Sequence, residues 1–168
     1  LCRREEGLYC TVGIHPHESD SFRSIDIQNL KEMCIEPQVK AIGETGLDFF
    51  RNFSTRANQE TAFRAQIELA RMLNLPLVIH IRDAVQTAKT VLEEHSYFNG
   101  VIHCFSHGKG FAEWAIEKGF YISFSGSLTY GEKKLFEVAQ AIPQDRILVE
   151  TDAPYLVPEP ERGPGKRN

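Results

Sequence analysis

The sequence predicts an α/β protein in which parallel strands alternate with helices. Six short runs of β-branched and apolar residues recur along the chain, and longer segments with helical period lie among them. This alternation is typical of repeated βα units, which build a parallel sheet. The chain has 168 residues and is 42% hydrophobic, so it can bury a sizeable core. We therefore expect a single domain over residues 1–168.

The predicted strands are apolar runs bounded by glycine, proline or polar residues. They are LYCTVGI (8–14), VKAIGE (39–44), PLVIHI (76–81), GVIHCF (100–105), FYISFS (120–125) and RILVET (146–151). The clearest helix spans 55–73, where apolar residues recur at three- and four-residue steps and Asn74 can end the helix. Shorter helices are predicted at 83–95, 109–118 and 132–141.

Charge and cysteine content exclude several classes of protein. The net charge of −4 argues against a protein that holds polyanions by bulk attraction, although a local basic rim stays open. The four cysteines form no C-x-x-C pair, which argues against a zinc knuckle or a disulfide scaffold. No apolar run reaches the roughly 20 residues that span a bilayer, and the first residues lack the apolar stretch of a signal peptide. We expect a cytoplasmic protein with reduced thiols and no membrane partner.

Chemically useful side chains stand at the ends of four predicted strands. They are Glu44, His80, His103 and the pair Glu150 and Asp152. A lone residue of this kind is usually structural, but parallel α/β folds bind ligands at the carboxyl ends of their strands. Imidazole and carboxylate together suit Zn²⁺, Mn²⁺ or Mg²⁺. The strand ends therefore predict a metal site.

Residues next to these positions have several interpretations. Gly43 and Gly46 let the backbone pass closely around Glu44, and Asp48 either assists there or caps a turn. Asp152 has a second role open to it, as the base that takes a proton from water.

Two histidine pairs need separate treatment. His15 and His17 have the H-x-H spacing of a metal site, but Pro16 between them favours a loop after the strand. We expect substrate or phosphate contact there, with a structural role equally open. In HCFSH, His103 ends the strand and His107 falls in the following loop, so His103 is the better ligand.

The segments after the second and third strands could contact substrate. Arg82 could bind an anionic group, or the next helix could be capped through Asp83. The aromatic run 49–53, FFRNF, could stack nucleobases or cover the apolar rim.

Five segments together give the chain a family resemblance. They are TVGIHPH, AIGETGLDFFRNFS, LPLVIHIRDA, GVIHCFSH and RILVETDAPYL. In this order they resemble the TatD family of metal-dependent deoxyribonucleases, over about residue 11 to the last residue. The resemblance implies a TIM-type (β/α)₈ barrel related to the amidohydrolases. It also implies phosphodiester hydrolysis that depends on a divalent metal, with DNA and in some cases RNA as substrate.

The family pattern also implies residue roles. It makes Glu44, His80, His103 and Asp152 metal ligands, with Asp152 placed to activate water. It puts His15 and His17 on the substrate side and Arg82 beside a ligand. The implied cofactor is Mg²⁺ or Mn²⁺, with Zn²⁺ as an alternative, bound as one ion or two.

The chain departs from the family in its extent. Nothing before LCRREEGLYC matches the H-x-H strand with which members commonly open, and a final helix is missing. About six of eight strands are present, so we expect an incomplete barrel without its first two βα units. A shortened chain, a longer natural protein and an assembly that completes the barrel all stay open, as does the oligomeric state.

Together with the predicted metal site, the resemblance implies a 3'-5' exonuclease that cleaves phosphodiester bonds with metal-activated water. Two alternatives remain. The same barrel and ligand set could hydrolyse an amide or ester, because the fold does not determine the chemistry. The incomplete barrel could instead be catalytically inactive.

Overall fold

A computed structural model describes residues 2 and 4–163. The chain divides into two compact units, of which the first ends at Gly100 and the second begins at Val101. Parallel strands alternate with helices in both, so the predicted α/β class is confirmed. The single domain expected over 1–168 stays a prediction, and its residues 1, 3 and 164–168 lie outside the described part.

The first unit contains three strands and three helices among its described residues. They are β1 (Cys10–Val12), α1 (Ser24–Met33), β2 (Val39–Asp48), α2 (Arg56–Leu73), β3 (Leu77–Arg82) and α3 (Val85–His95). A 3₁₀ turn covers Pro16–Ser21 between β1 and α1. β2 pairs in parallel with β1 on one side and with β3 on the other.

From Gly100 to Gly163 the structure contains three strands and two α-helices, with 3₁₀ turns at Gly126–Tyr130 and Gln144–Arg146. They are β4 (Gly100–Ile102), α4 (Lys109–Lys118), β5 (Tyr121–Phe124), α5 (Lys133–Ala141) and β6 (Ile147–Val149). β5 pairs in parallel with β4 and with β6. Phe105, Phe120 and Ile122 are fully buried here, and Phe111 stacks on Trp114. Every predicted strand overlaps one observed strand, and all four predicted helices are present.

β2 is the element that differs most from the prediction, since it continues to Asp48 instead of ending at Glu44. Gly46 pairs with His80 and has φ +133°, a conformation that L side chains rarely adopt. A Cβ on Gly46 would overlap the carbonyl oxygen of His80. Glycine therefore allows two strands to pair closely here, in agreement with the close backbone passage that the sequence predicts, although the strand continues past Glu44.

α2 packs along this sheet and begins and ends as the sequence predicts. The Thr55 hydroxyl accepts a hydrogen bond from the Asn58 amide, and Asn74 ends the helix in the left-handed conformation. Its buried face includes two glutamines, Gln59 and Gln66, among apolar side chains. Two buried amides at spacing seven indicate specific polar contacts with the sheet. In the part of the chain that is described, no helix is long and apolar enough to cross a membrane.

We expect Gly46→Ala to lower the free energy of unfolding by more than about 3 kcal/mol. The substitution combines a disfavoured φ with overlap of the His80 carbonyl, and each cost is large. Urea denaturation followed by circular dichroism measures the change. Gly110→Ala is the control, because a Cβ on this residue of α4 would meet no atom within 4 Å. Alanine in a helix should raise the free energy of unfolding by about 0.5–1 kcal/mol. Equal stability of the two variants would contradict the close pairing.

Candidate metal centre

Three side chains from different segments of the first unit meet at the end of the sheet. Glu44 lies within β2, His80 within β3, and His15 in the segment after β1. The Oε1 atom of Glu44 is 2.9 Å from Nδ1 of His80 and 3.5 Å from Nε2 of His15. Glu44 and His80 therefore come together as predicted, although both lie within their strands instead of at the ends, and His15 joins them.

The spacing of these donors suits a divalent metal ion. One ligand atom from each of the three residues lies within 4.8 Å of the other two. Ligands about 2.0–2.2 Å from one ion are at most roughly 4.4 Å apart, so a small side-chain movement would bring all three into range. Two imidazoles and one carboxylate are a donor set that Zn²⁺ and Mn²⁺ accept. The residues present fit a metal.

A buried carboxylate, Asp48, holds the histidines in place. Its side chain is 1% exposed, and its Oδ2 atom lies 3.1 Å from Nε2 of His80 and 2.8 Å from Nε2 of His17. Its Oδ1 atom accepts hydrogen bonds from the backbone amides of Phe50 and Arg51. With Nε2 of His80 turned to Asp48, Nδ1 faces Glu44 and is the nitrogen available to a metal.

The protonation of this cluster follows from its contacts. Burial disfavours the charged form of His80, but hydrogen bonds to Asp48 and Glu44 outweigh it and raise the pKa of His80 to about 9. Burial alone would raise the pKa of Asp48. Hydrogen bonds from His80, the Arg51 amide and His17 instead hold this pKa well below its usual value. These contacts favour an imidazolium between the carboxylates of Asp48 and Glu44, and metal binding through His80 would require it to lose a proton.

α2 fixes the backbone on which these side chains stand. Gln59 accepts from the Asp48 amide at 2.8 Å and donates to the Asp48 carbonyl at 3.0 Å. Gln66 accepts from the Ile14 amide at 2.7 Å and donates to the Ile14 carbonyl at 3.1 Å. These two glutamines explain the polar positions on the buried face of α2. Each one anchors a segment that carries a histidine or carboxylate of the cluster.

The His17 segment is also tied to the start of α2. The Ser54 hydroxyl donates to the carbonyl of His17 at 2.7 Å. One carboxylate oxygen of Asp20 accepts from the Thr55 amide and from the side chain of Asn58, at 2.8 and 2.9 Å. The prediction that the two histidines lie in a loop after the strand is confirmed, and this loop is held at several points.

The second unit contains a smaller group of the same residue types. His103 directly follows β4, and its Nδ1 atom is 2.5 Å from Oε2 of Glu150. The other oxygen of Glu150 accepts from the Cys104 amide at 2.6 Å. Nε2 of His103 is 3.9 Å from Oδ1 of Asp152. Glu150 thus orients His103, while Nε2 points toward Asp152. By contrast, the ring of His107 lies against Phe105 and Phe111.

The remaining sequence-based alternatives are resolved in part. Arg82 ends β3, and its guanidinium lies over the Phe50 ring. α3 begins after Ala84 without a side-chain capping bond, so the alternative that Asp83 caps this helix is wrong. The predicted ligand and substrate roles all stay predictions, for Glu44, His80, His103, Asp152, His15, His17 and Arg82. Asp48 matters more than the sequence indicates, because only the fold shows that it meets two histidines.

Comparisons with known proteins agree with the family resemblance of the sequence. The sequence model of the family described as TatD related DNase matches residues 1–168. The Bacillus subtilis (strain 168) protein named uncharacterized metal-dependent hydrolase YabD is 40% identical over 164 residues, or 96% of this chain. The Escherichia coli (strain K12) protein named 3'-5' ssDNA/RNA exonuclease TatD is 38% identical over 162 residues, or 94% of this chain.

A solved structure confirms the predicted fold class. The crystal structure of YJJV, a TatD homologue from E. coli K12, matches with a TM-score of 0.89 at 27% identity and covers 100% of this chain. The chain spans 66% of that structure, 64% of YabD and 62% of TatD. Its α/β fold is therefore that of the TatD barrels over somewhat less than two thirds of their length.

We expect Asp48→Asn to weaken Mn²⁺ binding by about 10- to 100-fold. The amide keeps the shape but loses the charge and one acceptor oxygen, so His80 is no longer held as firmly toward Glu44. Isothermal titration calorimetry measures the affinity, and circular dichroism verifies the fold. Asp145→Asn, in the 3₁₀ turn before β6, is the control and should bind as the unaltered chain does. Unchanged affinity in Asp48→Asn would exclude this orienting role.

Proposed function

The chain belongs to the TatD related DNase family, and on this premise we propose that it is a divalent-metal-dependent hydrolase of phosphodiester bonds. The observation that carries the proposal is the cluster of His15, Glu44 and His80, whose donors lie within 4.8 Å of one another. Hydrolysis of a phosphodiester needs charge stabilisation at the phosphoryl group and an activated water, which a metal in such a cluster supplies when bound.

The substrate is proposed to be single-stranded DNA, with RNA as a second substrate, cleaved from the 3' end. This part rests on the E. coli relative, whose name describes it as a 3'-5' exonuclease on single-stranded DNA and RNA. Identity of 38% makes that relative a guide to the reaction class. Mg²⁺ or Mn²⁺ is the proposed cofactor, with Zn²⁺ as the alternative, as one ion or two.

Each residue receives a role that its contacts allow. Glu44 and His80 hold the metal, and His15 has a ring nitrogen within reach of the same position. His103 and Asp152 are proposed as further ligands, with Asp152 as the base that takes a proton from water, following the family pattern. His17 and Arg82 are proposed to contact substrate.

We also propose a cytoplasmic location. None of the four cysteines forms a disulfide, and all four lie within the described residues. Reduced thiols are the usual state in the cytosol.

We expect the purified chain to shorten a labelled single-stranded oligonucleotide in Mg²⁺ or Mn²⁺ but not in EDTA. Glu44→Gln, His80→Ala and Asp152→Asn should each lower the rate at least about 100-fold, since each removes a ligand or the base. Denaturing gels measure the rate and show whether shortening is stepwise from the 3' end.

Glu18→Gln is the matched control, because Glu18 is an exposed carboxylate in the same segment as His17. It should keep the full rate, while loss of activity in Glu44→Gln, purified in the same way, would exclude a contaminating nuclease. Full activity in Glu44→Gln would refute the assignment of the cluster. Faster cleavage of an ester or amide than of the oligonucleotide would instead favour a carbonyl hydrolase, and no cleavage of either would favour an inactive chain.

A further inference from the structure

Directly after β2 the chain forms a short aromatic segment, residues 49–53. It lies close to the cluster of His15, Glu44 and His80. Phe49 is buried, with 9% of its surface exposed. Phe50 and Phe53 are 52% and 63% exposed. The buried Phe49 ring therefore agrees with the interpretation in which the segment covers the apolar rim. The rings of Phe50 and Phe53 instead present large apolar faces to solvent. Exposed aromatic rings beside a polar site commonly mark a binding surface.

Two arginines accompany the Phe50 ring. The guanidinium carbon of Arg82 lies 4.0 Å from the ring centroid, and that of Arg51 lies 5.7 Å away. Within the described residues, neither guanidinium lies within ion-pair distance of a carboxylate. A guanidinium that stacks through its face keeps its N–H donors in the plane for hydrogen bonds to an anion. Phosphate oxygens match that geometry.

Phe53 contacts His17, which links it to the cluster of His15, Glu44 and His80. Its ring meets His17 edge to face, with centroids 4.8 Å apart and an interplanar angle of 89°. His17 in turn contacts Asp48, which also holds His80. Along this path two side chains, those of His17 and Asp48, connect the Phe53 ring with His80.

We propose that Phe53, Phe50, Arg51 and Arg82 form a subsite for an unpaired polynucleotide strand. A nucleobase stacks on Phe53, and the two guanidiniums bind backbone phosphates beside Phe50. The subsite deepens the proposed function and rests on it for the identity of the ligand.

The chemistry favours a single strand over a duplex or a protein. Only an unpaired base has a face free to stack on an exposed ring, and every base has such a face, so the subsite is tolerant of sequence. The whole chain carries a net charge of −4, so a polyanion needs a local cationic contact rather than bulk attraction. Residues 49–53 supply the aromatic rings for stacking and one arginine. Arg82, at the adjoining end of β3, supplies the second positive charge.

Binding is measured without catalysis, by fluorescence anisotropy of a 5'-fluorescein oligothymidylate of 15 nucleotides in EDTA. Phe53→Ala should raise Kd about 5- to 100-fold, the range for loss of one base stack. An oligonucleotide of the same length with abasic tetrahydrofuran sites should bind the unaltered chain as weakly as Phe53→Ala binds the normal one. Phe53→Ala should have no further effect on the abasic strand.

Phe136→Ala is the matched control, since Phe136 on α5 is 53% exposed and carries no role here. It should leave Kd unchanged. Arg82→Gln and Arg51→Gln should each reduce the slope of log K against log salt by about 0.7, on the normal and the abasic strand alike. No binding by the unaltered chain, or equal Kd values for Phe53→Ala and Phe136→Ala, would overturn the subsite.

Because binding is measured in EDTA, where metal-dependent hydrolysis does not occur, the subsite and the proposed function are tested independently. Binding that depends on Phe53 without hydrolysis in any metal would refute the nuclease but support the subsite. Hydrolysis that depends on Glu44, with binding that ignores Phe53, would support the nuclease and refute the subsite.

Discussion

The buried carboxylate of Asp48 is the interaction on which the rest of the site depends. A charge that is 1% exposed is costly unless hydrogen bonds replace the lost water. Two imidazoles and two backbone amides supply them, at 2.8 to 3.1 Å. Satisfying Asp48 therefore fixes the rings of His17 and His80 at the same time. One desolvated charge thus directs Nε2 of His80 to Asp48 and leaves Nδ1 facing Glu44, which stays partly exposed.

The supports around Asp48 lie on regular elements, which gives the site its rigidity. Gln59 and Gln66, seven residues apart on α2, hold the backbones of β2 and of the segment after β1. Gly46 allows β2 to stay paired with β3 up to Asp48. Because every one of these contacts joins residues that are distant in sequence, a change in the sheet register would displace several donors together. Sites carried by helices and strands keep their geometry better than sites on free loops.

Much of this arrangement follows from the sequence, and the failures share one cause. Within the described residues, hydrophobic runs and helical period locate the six strands and four of the helices, and the chemistry of the strand ends is enough to group Glu44 with His80. The glycines around Glu44 predict close backbone passage, but they do not show that β2 stays paired with β3 up to Asp48. The role of Asp48 is hidden in the sequence because its partners, His17 and His80, are 31 and 32 residues away. Local patterns predict elements, whereas contacts of this length depend on register.

The proposed subsite would allow an acidic chain to bind a polyanion. Carboxylates at the cluster repel phosphate, and the net charge of −4 provides no attraction at long range. Attraction must then come from short-range contacts, namely a bound cation at Glu44, guanidiniums at the Phe50 ring and stacking on Phe53. Stacking hardly depends on salt, whereas each phosphate contact does, so the affinity divides between a part that salt weakens and a part that it leaves unchanged. A strand held mainly by stacking can move by one nucleotide after each cleavage, because every base offers the same kind of face. In the proposed exonuclease, this tolerance of sequence would let each new end of the strand occupy the same subsite.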